Sequence, residues 1–251
     1  MSLDYHHRLT IQGSGEPLIL VPGMDGTGNL FYQQIPSLAQ HYRVITYALR
    51  GSAIRLETLG DDLEYVARST SDKGKPIILG ESFGGAVALS LALRHPEMVK
   101  GLVMVNSFAY APSRKSLRLA LLGLHAIPQR AMSLVRHMTA SRLHSPNRNR
   151  ETLRMFLAHT ADVSKDVYRK RLRMLREYDV RNRINEISIP TLFLAADSDR
   201  VVRSLEQARW MASRMPNATV KVLEGHGHVC LTNSEVKLAE LLQQWEGVSL
   251  R

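Results

Sequence analysis

The sequence predicts an α/β fold: a mostly parallel, doubly wound sheet with helices on both faces and one helical cap insertion. Three observations predict it. Short apolar runs alternate with segments of helical spacing. The runs are continuously apolar, as in strands buried on both faces. Between residues 109 and 188 the alternation stops and only helical spacing remains. The expected organisation is a core of residues 1–108 and 189–251, split by a cap of residues 109–188.

Taken in order, Tyr5 to Ile11 offers one or two antiparallel edge strands. Leu18-Ile19-Leu20-Val21 is a strand ending at Pro22-Gly23, and Leu30 to His41 has helical character. Arg43 to Tyr47 is the next strand. In Leu59 to Ser69 the spacing puts Leu59, Leu63, Val66 and Ala67 on one helix face. Pro76 to Leu79 is a strand, and Gly85 to His95 is a helix ended by Pro96. Leu102 to Val105 closes the first half. The insertion follows, with helical stripes at Leu117, Ala120, Leu121 and Leu124, at Leu153, Phe156 and Leu157, and at Val167, Leu172 and Leu175. Ser145 to Arg150 is a turn within it. Strands at Thr191–Ala195 and Thr219–Leu223, followed by helices at Leu205–Arg214 and Glu235–Trp245, complete the sheet.

A chain of 251 residues buries a core of this size without covalent staples. The single cysteine, Cys230, excludes an intramolecular disulfide and favours a reducing compartment or indifference to redox, and the expected location is cytoplasmic. The start lacks the basic and apolar regions of a signal peptide, and no run reaches the length of a membrane span. Net charge is +10, and it has one source: residues 109–188 hold 17 Lys/Arg against 6 Asp/Glu, the remainder 16 against 17. Such a segment is either a set of solvated arginine-rich helices or a surface for an anionic partner. Few aromatics and no recognised binding motif argue against nucleic acid. The expected partner is a small acyl ester, and the expected state a monomer or weak homodimer.

Gly80-Glu81-Ser82-Phe83-Gly84, directly after the strand Pro76–Leu79, reads as a nucleophile elbow. A serine hydroxyl needs a base to take its proton and must stand clear of the backbone. A tight strand-to-helix turn lifts it there, and flanking glycines avoid a side-chain clash. The base should be a histidine, oriented by a carboxylate, in the chain order Ser, acid, His. Asp197 and Asp199 follow the strand Thr191–Ala195, and His226 and His228 follow the last strand.

With these motifs in order outside the insertion, the chain resembles the α/β-hydrolase superfamily. The resemblance implies Asp199 as the acid, with Asp197 the alternative, and His228 as the base. His226 then falls at a variable position flanking the site. It implies backbone N–H donors from Phe83 and Met24 for the oxyanion. Pro22-Gly23-Met24-Asp25-Gly26-Thr27-Gly28 looks like the loop of a branch with plastid and cyanobacterial esterase, thioesterase and acyltransferase relatives. Asp25 is expected to turn away and bond its own loop backbone. Arg50 resembles a structural arginine of the family. Glu81 is expected to support backbone or reach solvent, without acting as a second acid.

The resemblance implies a carboxylesterase that works through an acyl-enzyme on Ser82, without metal or organic cofactor. An acyl thioesterase, an acyltransferase and a slow ligand-binding module are the alternatives. Leu121, Leu124, Met132, Phe156 and Leu157 are the candidate substrate-lining residues of the cap.

Overall fold

The computed structural model describes residues 9–111, 113–128, 131–143 and 150–249. Within them, seven strands form one sheet: β1 (Leu9–Gln12), β2 (Glu16–Val21), β3 (Tyr42–Tyr47), β4 (Ile77–Glu81), β5 (Gly101–Val105), β6 (Thr191–Ala196) and β7 (Ala218–Leu223). Their order is β1-β3-β2-β4-β5-β6-β7. Only β1 runs antiparallel, with Leu9 opposite Tyr47; every other pairing is parallel. The Tyr5–Arg8 part of the expected edge strand lies outside the described residues, as does the Ser145–Asn149 turn.

The helices are α1 (Ile35–Leu38), α2 (Leu56–Ser69), α3 (Phe83–Ala92), α4 (Arg114–Ala126), α5 (Met132–Leu143), α6 (Arg150–Thr160), α7 (Lys165–Glu177), α8 (Ser204–Ala212) and α9 (Leu238–Ser249). One apolar layer joins α2, α3 and α8 to one sheet face, through residues such as Leu63, Leu89 and Met211. The other face is covered by α1 and α9, with Leu38, Leu242 and Trp245 on Leu20 and Val103. The inner strands are buried along their length, which is why they read as unbroken apolar runs.

The expected helix over Leu30–His41 is instead a 3₁₀ turn at Asn29–Phe31 and the one-turn α1. Pro36 is the reason: it brings no N–H and is tolerated only in a first helical turn, where it sits. The last helix begins at Leu238, three residues later than its spacing suggests.

Between β5 and β6 the described chain holds no strand; it holds the four helices α4–α7, a 3₁₀ turn at Ile184–Glu186 and a single antiparallel bridge, Tyr110 to Asp179. Ser113 caps α4 by accepting the Ser116 N–H at 3.1 Å, and Ser164 caps α7 through the Val167 N–H.

The sheet order reverses beside β2: the chain leaves β2 for β3 on one side and returns as β4 on the other. Parallel sheets open a crevice at such a point, outside the carboxyl ends of the strands. The loops after β2 and β4 therefore meet there, and they carry Gly23–Gly28 and Ser82.

Candidate active site

Ser82 sits between β4 and α3 with φ 52° and ψ −115°, a conformation that L-residues rarely adopt. Its own N–H donates to Val105 O at 2.8 Å, and its carbonyl accepts the Ser107 hydroxyl at 2.9 Å, so both sides of the strained residue are held. The turn leaves no room for side chains. A Cβ on Gly84 would collide with the Val21 carbonyl, and one on Gly80 would lie 2.6 Å from Gly85 Cα.

The Ser82 hydroxyl lies 2.8 Å from His228 Nε2. On the far side of the ring, His228 Nδ1 lies 2.9 Å from Asp199 Oδ2. The remaining Asp199 oxygen accepts the N–H groups of Val201 at 2.8 Å and Val202 at 3.3 Å. Burial alone would raise the Asp199 carboxyl. The hydrogen bond and charge of His228, with the Val201 N–H and the Ser204 hydroxyl, hold it below the ordinary carboxylate range.

The other two candidates lie elsewhere. Asp197 is exposed and accepts the Gly225 N–H at 2.9 Å, which steadies the turn leading to the histidine. His226 is half-buried outside the cavity wall, and its carbonyl accepts the Ser198 N–H at 3.1 Å. The lone Cys230 is buried, which pushes its thiol well above the ordinary range and leaves it inert.

The loop after β2 lies against the elbow: a Cβ on Gly23 would be 3.7 Å from Ser82 Cβ. Among the described residues neither the Met24 nor the Phe83 N–H donates to a protein acceptor. Asp25 bonds within its own loop, where its Oδ2 accepts the Thr27 N–H at 2.9 Å and the Thr27 hydroxyl at 2.6 Å. Arg50 forms a two-pronged ion pair with Asp62 at 2.6 and 3.1 Å, tying the chain after β3 to α2.

The Glu81 side chain bonds no backbone group among the described residues. It is only 5% exposed, its carboxyl meets no hydrogen-bond donor among the described residues, and it contributes to the cavity wall. Burial, with the charge of Asp25 added, pushes it up to about 8.

Two residues escaped the sequence reading. Asn106, directly after β5 in a left-handed conformation (φ 46°), links three loops. Its amide donates to His228 O at 2.7 Å and Gly227 O at 3.3 Å, while its oxygen accepts the Ala196 N–H at 2.8 Å and the Ser204 hydroxyl at 3.0 Å. It thus joins the serine strand's neighbour to the acid and histidine loops. An Asn at the carboxyl end of an apolar strand was the available signal. Arg171, on α7, is 3% exposed and donates to Met24 O at 2.8 Å and Leu49 O at 3.2 Å. Its guanidinium occupies the space a Gly26 side chain would need, and Gly26 has φ 66°. Burial lowers its pKa, and Asp25 counteracts that effect. Nothing in the sequence separates it from the other arginines around it.

A cavity of about 630 Å³ opens above Ser82 and His228, walled by the two loops and by α4–α7. Of the candidate lining residues, Leu124, Met132 and Phe156 lie in the wall. Leu121 does not. On α4 the wall takes Ser116, Leu117, Ala120, Gly123 and Leu124, with Ile127 just past its end, and Leu121 lies about 100° around the helix from Ala120. Leu157 instead packs on a small cluster of Leu30, Ala140, Phe156 and Val229 that joins α5 and α6 to the core. Apart from the buried Arg171, basic residues of α7 pair locally, as Arg169 and Lys170 do with Asp166, or reach nearby carbonyls, as Lys165 does to Ile127 O. No described helix is long and apolar enough to cross a membrane.

Residues 16–232 match the family described as "alpha/beta hydrolase fold". A protein of Caulobacter sp. (strain K31) named "Putative carbamate hydrolase RutD" is 29% identical over 226 residues, covering 85% of this chain and 84% of the relative. An esterase from Exiguobacterium antarcticum superposes with a TM-score of 0.85 at 19% identity, covering 94% of each chain. The enol-lactonase from Burkholderia xenovorans LB400 also gives 0.85, at 17% identity, over 98% of this chain and 99% of the other. These structures share the fold over at least 94% of each chain while their named activities differ. The match over residues 16–232, with the sheet order and the elbow, makes this chain a member of the alpha/beta hydrolase fold family.

Proposed function

We propose that the chain is a serine hydrolase that cleaves carboxylic esters with apolar acyl groups. The observation that carries this reading is the continuous Ser82–His228–Asp199 hydrogen-bond relay opening into the apolar cavity. His228 takes the proton of Ser82 through Nε2, while Asp199 holds the other ring nitrogen and steadies the imidazolium that forms. Ser82 Oγ attacks the acyl carbonyl. The Met24 and Phe83 N–H groups receive the oxyanion, each worth roughly 2.7–4 kcal/mol on the usual mutagenesis scale. His228 protonates the leaving alcohol, and water then repeats the cycle on the acyl-enzyme.

The cavity volume lies within the range of about 300–1,000 Å³ usual for small-molecule sites, and its wall is mainly Leu, Val, Met and Phe. That favours an apolar acyl chain over a very small polar substrate. The basic insertion gives little support to a thioesterase for anionic carriers, because its cavity-facing stripe is apolar. Carbamate cleavage is the second reading, favoured by the naming of the RutD relatives. The same relay would serve it, since a carbamate also presents a carbonyl to Ser82.

Initial rates on p-nitrophenyl esters from acetate to palmitate test the proposal, with Ser82→Ala beside the wild type. Serine-dependent turnover peaking at an intermediate chain length is expected. Negligible turnover by folded wild type would sink the ester reading, and a carbamate series run in parallel would separate the two.

A further inference from the structure

The polar residues on the core side of the cavity wall are few: Ser82 and His228, already given roles, and Asp25 and Glu81. Glu81 closes β4 immediately before Ser82, and Asp25 follows Met24. Each acid is thus one residue from a group that handles the reacting carbonyl. Both are at least nine-tenths buried, at 5% and 8% exposure. Glu81 has no hydrogen-bond or ion-pair partner among the described residues. Asp25 engages Thr27 through Oδ2 alone and leaves Oδ1 unclaimed.

A carboxyl walled into a mainly apolar cavity is costly, because it keeps little water and gains no protein partner in return. The cost is recovered where a ligand supplies the missing bond. We propose that Asp25 and Glu81 form a subsite that reads a hydrogen-bond donor, so that preferred substrates carry an uncharged O–H or N–H group within a few atoms of the scissile carbonyl. This rests on the reading of Ser82 as the nucleophile.

The chemistry of the pair selects a donor, since the unclaimed atoms are mainly acceptors. It selects an uncharged one for two reasons. Bringing an ammonium out of water into a mainly apolar cavity is expensive. The Arg171 guanidinium already answers the charge of Asp25, and Glu81 is pushed up to about 8, so the pair offers little charge in compensation. Neutrality suits the reaction as well, because an ionised carboxylate beside the developing oxyanion would oppose it.

The test compares isosteric ester pairs: 2-hydroxypropanoyl against 2-methylpropanoyl, and 3-hydroxybutanoyl against 3-methylbutanoyl p-nitrophenyl esters. Each kcat/KM is divided by the spontaneous hydrolysis rate. The wild type should favour the hydroxy member, and Glu81→Leu should cut that ratio about tenfold or more. Glu81→Gln, which keeps the shape and an acceptor, should hold the ratio within a few-fold, and Asp25→Asn should lower it less than Glu81→Leu. A ratio unchanged in Glu81→Leu, or no preference in the wild type, overturns the proposal.

A binding arm reads the subsite without turnover. The same pairs as primary amides are titrated into Ser82→Ala and into Ser82→Ala/Glu81→Leu by calorimetry. Tighter binding of the hydroxy amide that disappears in the double variant supports the subsite, and equal affinities overturn it. Absence of ester turnover with this binding difference intact overturns the hydrolase reading alone.

Discussion

The two halves of the site are built in different ways. The sheet half places Ser82, Met24, Asp199 and His228 on loops at strand ends, where backbone hydrogen bonds and obligatory glycines leave one geometry. The insertion half, α4–α7, contributes mainly apolar surface and touches the sheet half through a few long-range polar pins. Arg171 on Met24 O and Leu49 O is one, and the Val229 N–H on Leu143 O at 2.9 Å is another. On the proposed reading, the difference teaches that short-range backbone constraints specify the reaction, while helix packing sets the size of the substrate. Changes in the first half should alter rate, and changes in the second should alter preference. Arg171 is the exception, because it acts from the second half on the first.

The largest effect should come from the acid. Asp199→Asn keeps the shape but removes the charge that holds the imidazole tautomer, and should lower kcat by about 10⁴-fold. Asp197→Asn, two residues away but turned to solvent, should change kcat less than about twofold. Equal losses in the two variants, measured on one ester with circular dichroism to check the fold, would mean that the relay is misassigned.

Arg171→Met should come next. It takes the side-chain donor from the buried Leu49 carbonyl and the half-buried Met24 carbonyl, and frees the loop that carries the Met24 N–H. We expect kcat to fall about 10–100-fold with KM changed far less, since the loop acts in the transition state. Arg171→Lys should restore part of the loss. A fall in thermal stability with kcat intact would confine Arg171 to structure and would restore the clean division between the halves.

Phe156→Ala should spare the rate on short esters and move the preferred acyl chain to a longer one, because Phe156 is wall and not chemistry. Unchanged chain preference would show that the wall does not measure the acyl group.

The smallest effect is one of stability against pH. Glu81 is pushed up to about 8 in the folded chain, against about 4.3 for an unfolded glutamate. The folded state therefore binds more protons between those values, and the Glu81 contribution to stability falls as pH rises through that window. Glu81→Gln should flatten this fall, read as denaturation midpoints at pH 5, 7 and 9. Parallel curves for the two proteins would contradict the burial account of Glu81.

Much of the sheet half was legible in the sequence because its rules are local. A continuous apolar run followed by Gly-x-Ser-x-Gly names a strand, a turn and a nucleophile together, and Ser82 stands at that turn. The choice of Asp199 over Asp197 needed a resemblance, since the two share a loop and differ only in which one turns inward. Asn106 and Arg171 were hidden for a physical reason: their partners lie 90 or more residues away, and no local spacing encodes such contacts. The misread helix at Leu30–His41 shows the opposite failure, in which apolar spacing was given more weight than Pro36. Of the five candidate lining residues, Leu124, Met132 and Phe156 are in the wall while Leu121 and Leu157 are not. Helical periodicity identifies apolar positions, but it does not say which neighbour each one meets.

The most direct measurement is covalent labelling by an alkyl fluorophosphonate, followed by intact-mass and peptide-mass analysis. The account predicts a single adduct on Ser82, formed quickly in the wild type, at least about 10³-fold more slowly in His228→Ala, and absent in Ser82→Ala. Labelling at another residue, or labelling of Ser82 at the same rate without His228, would contradict it.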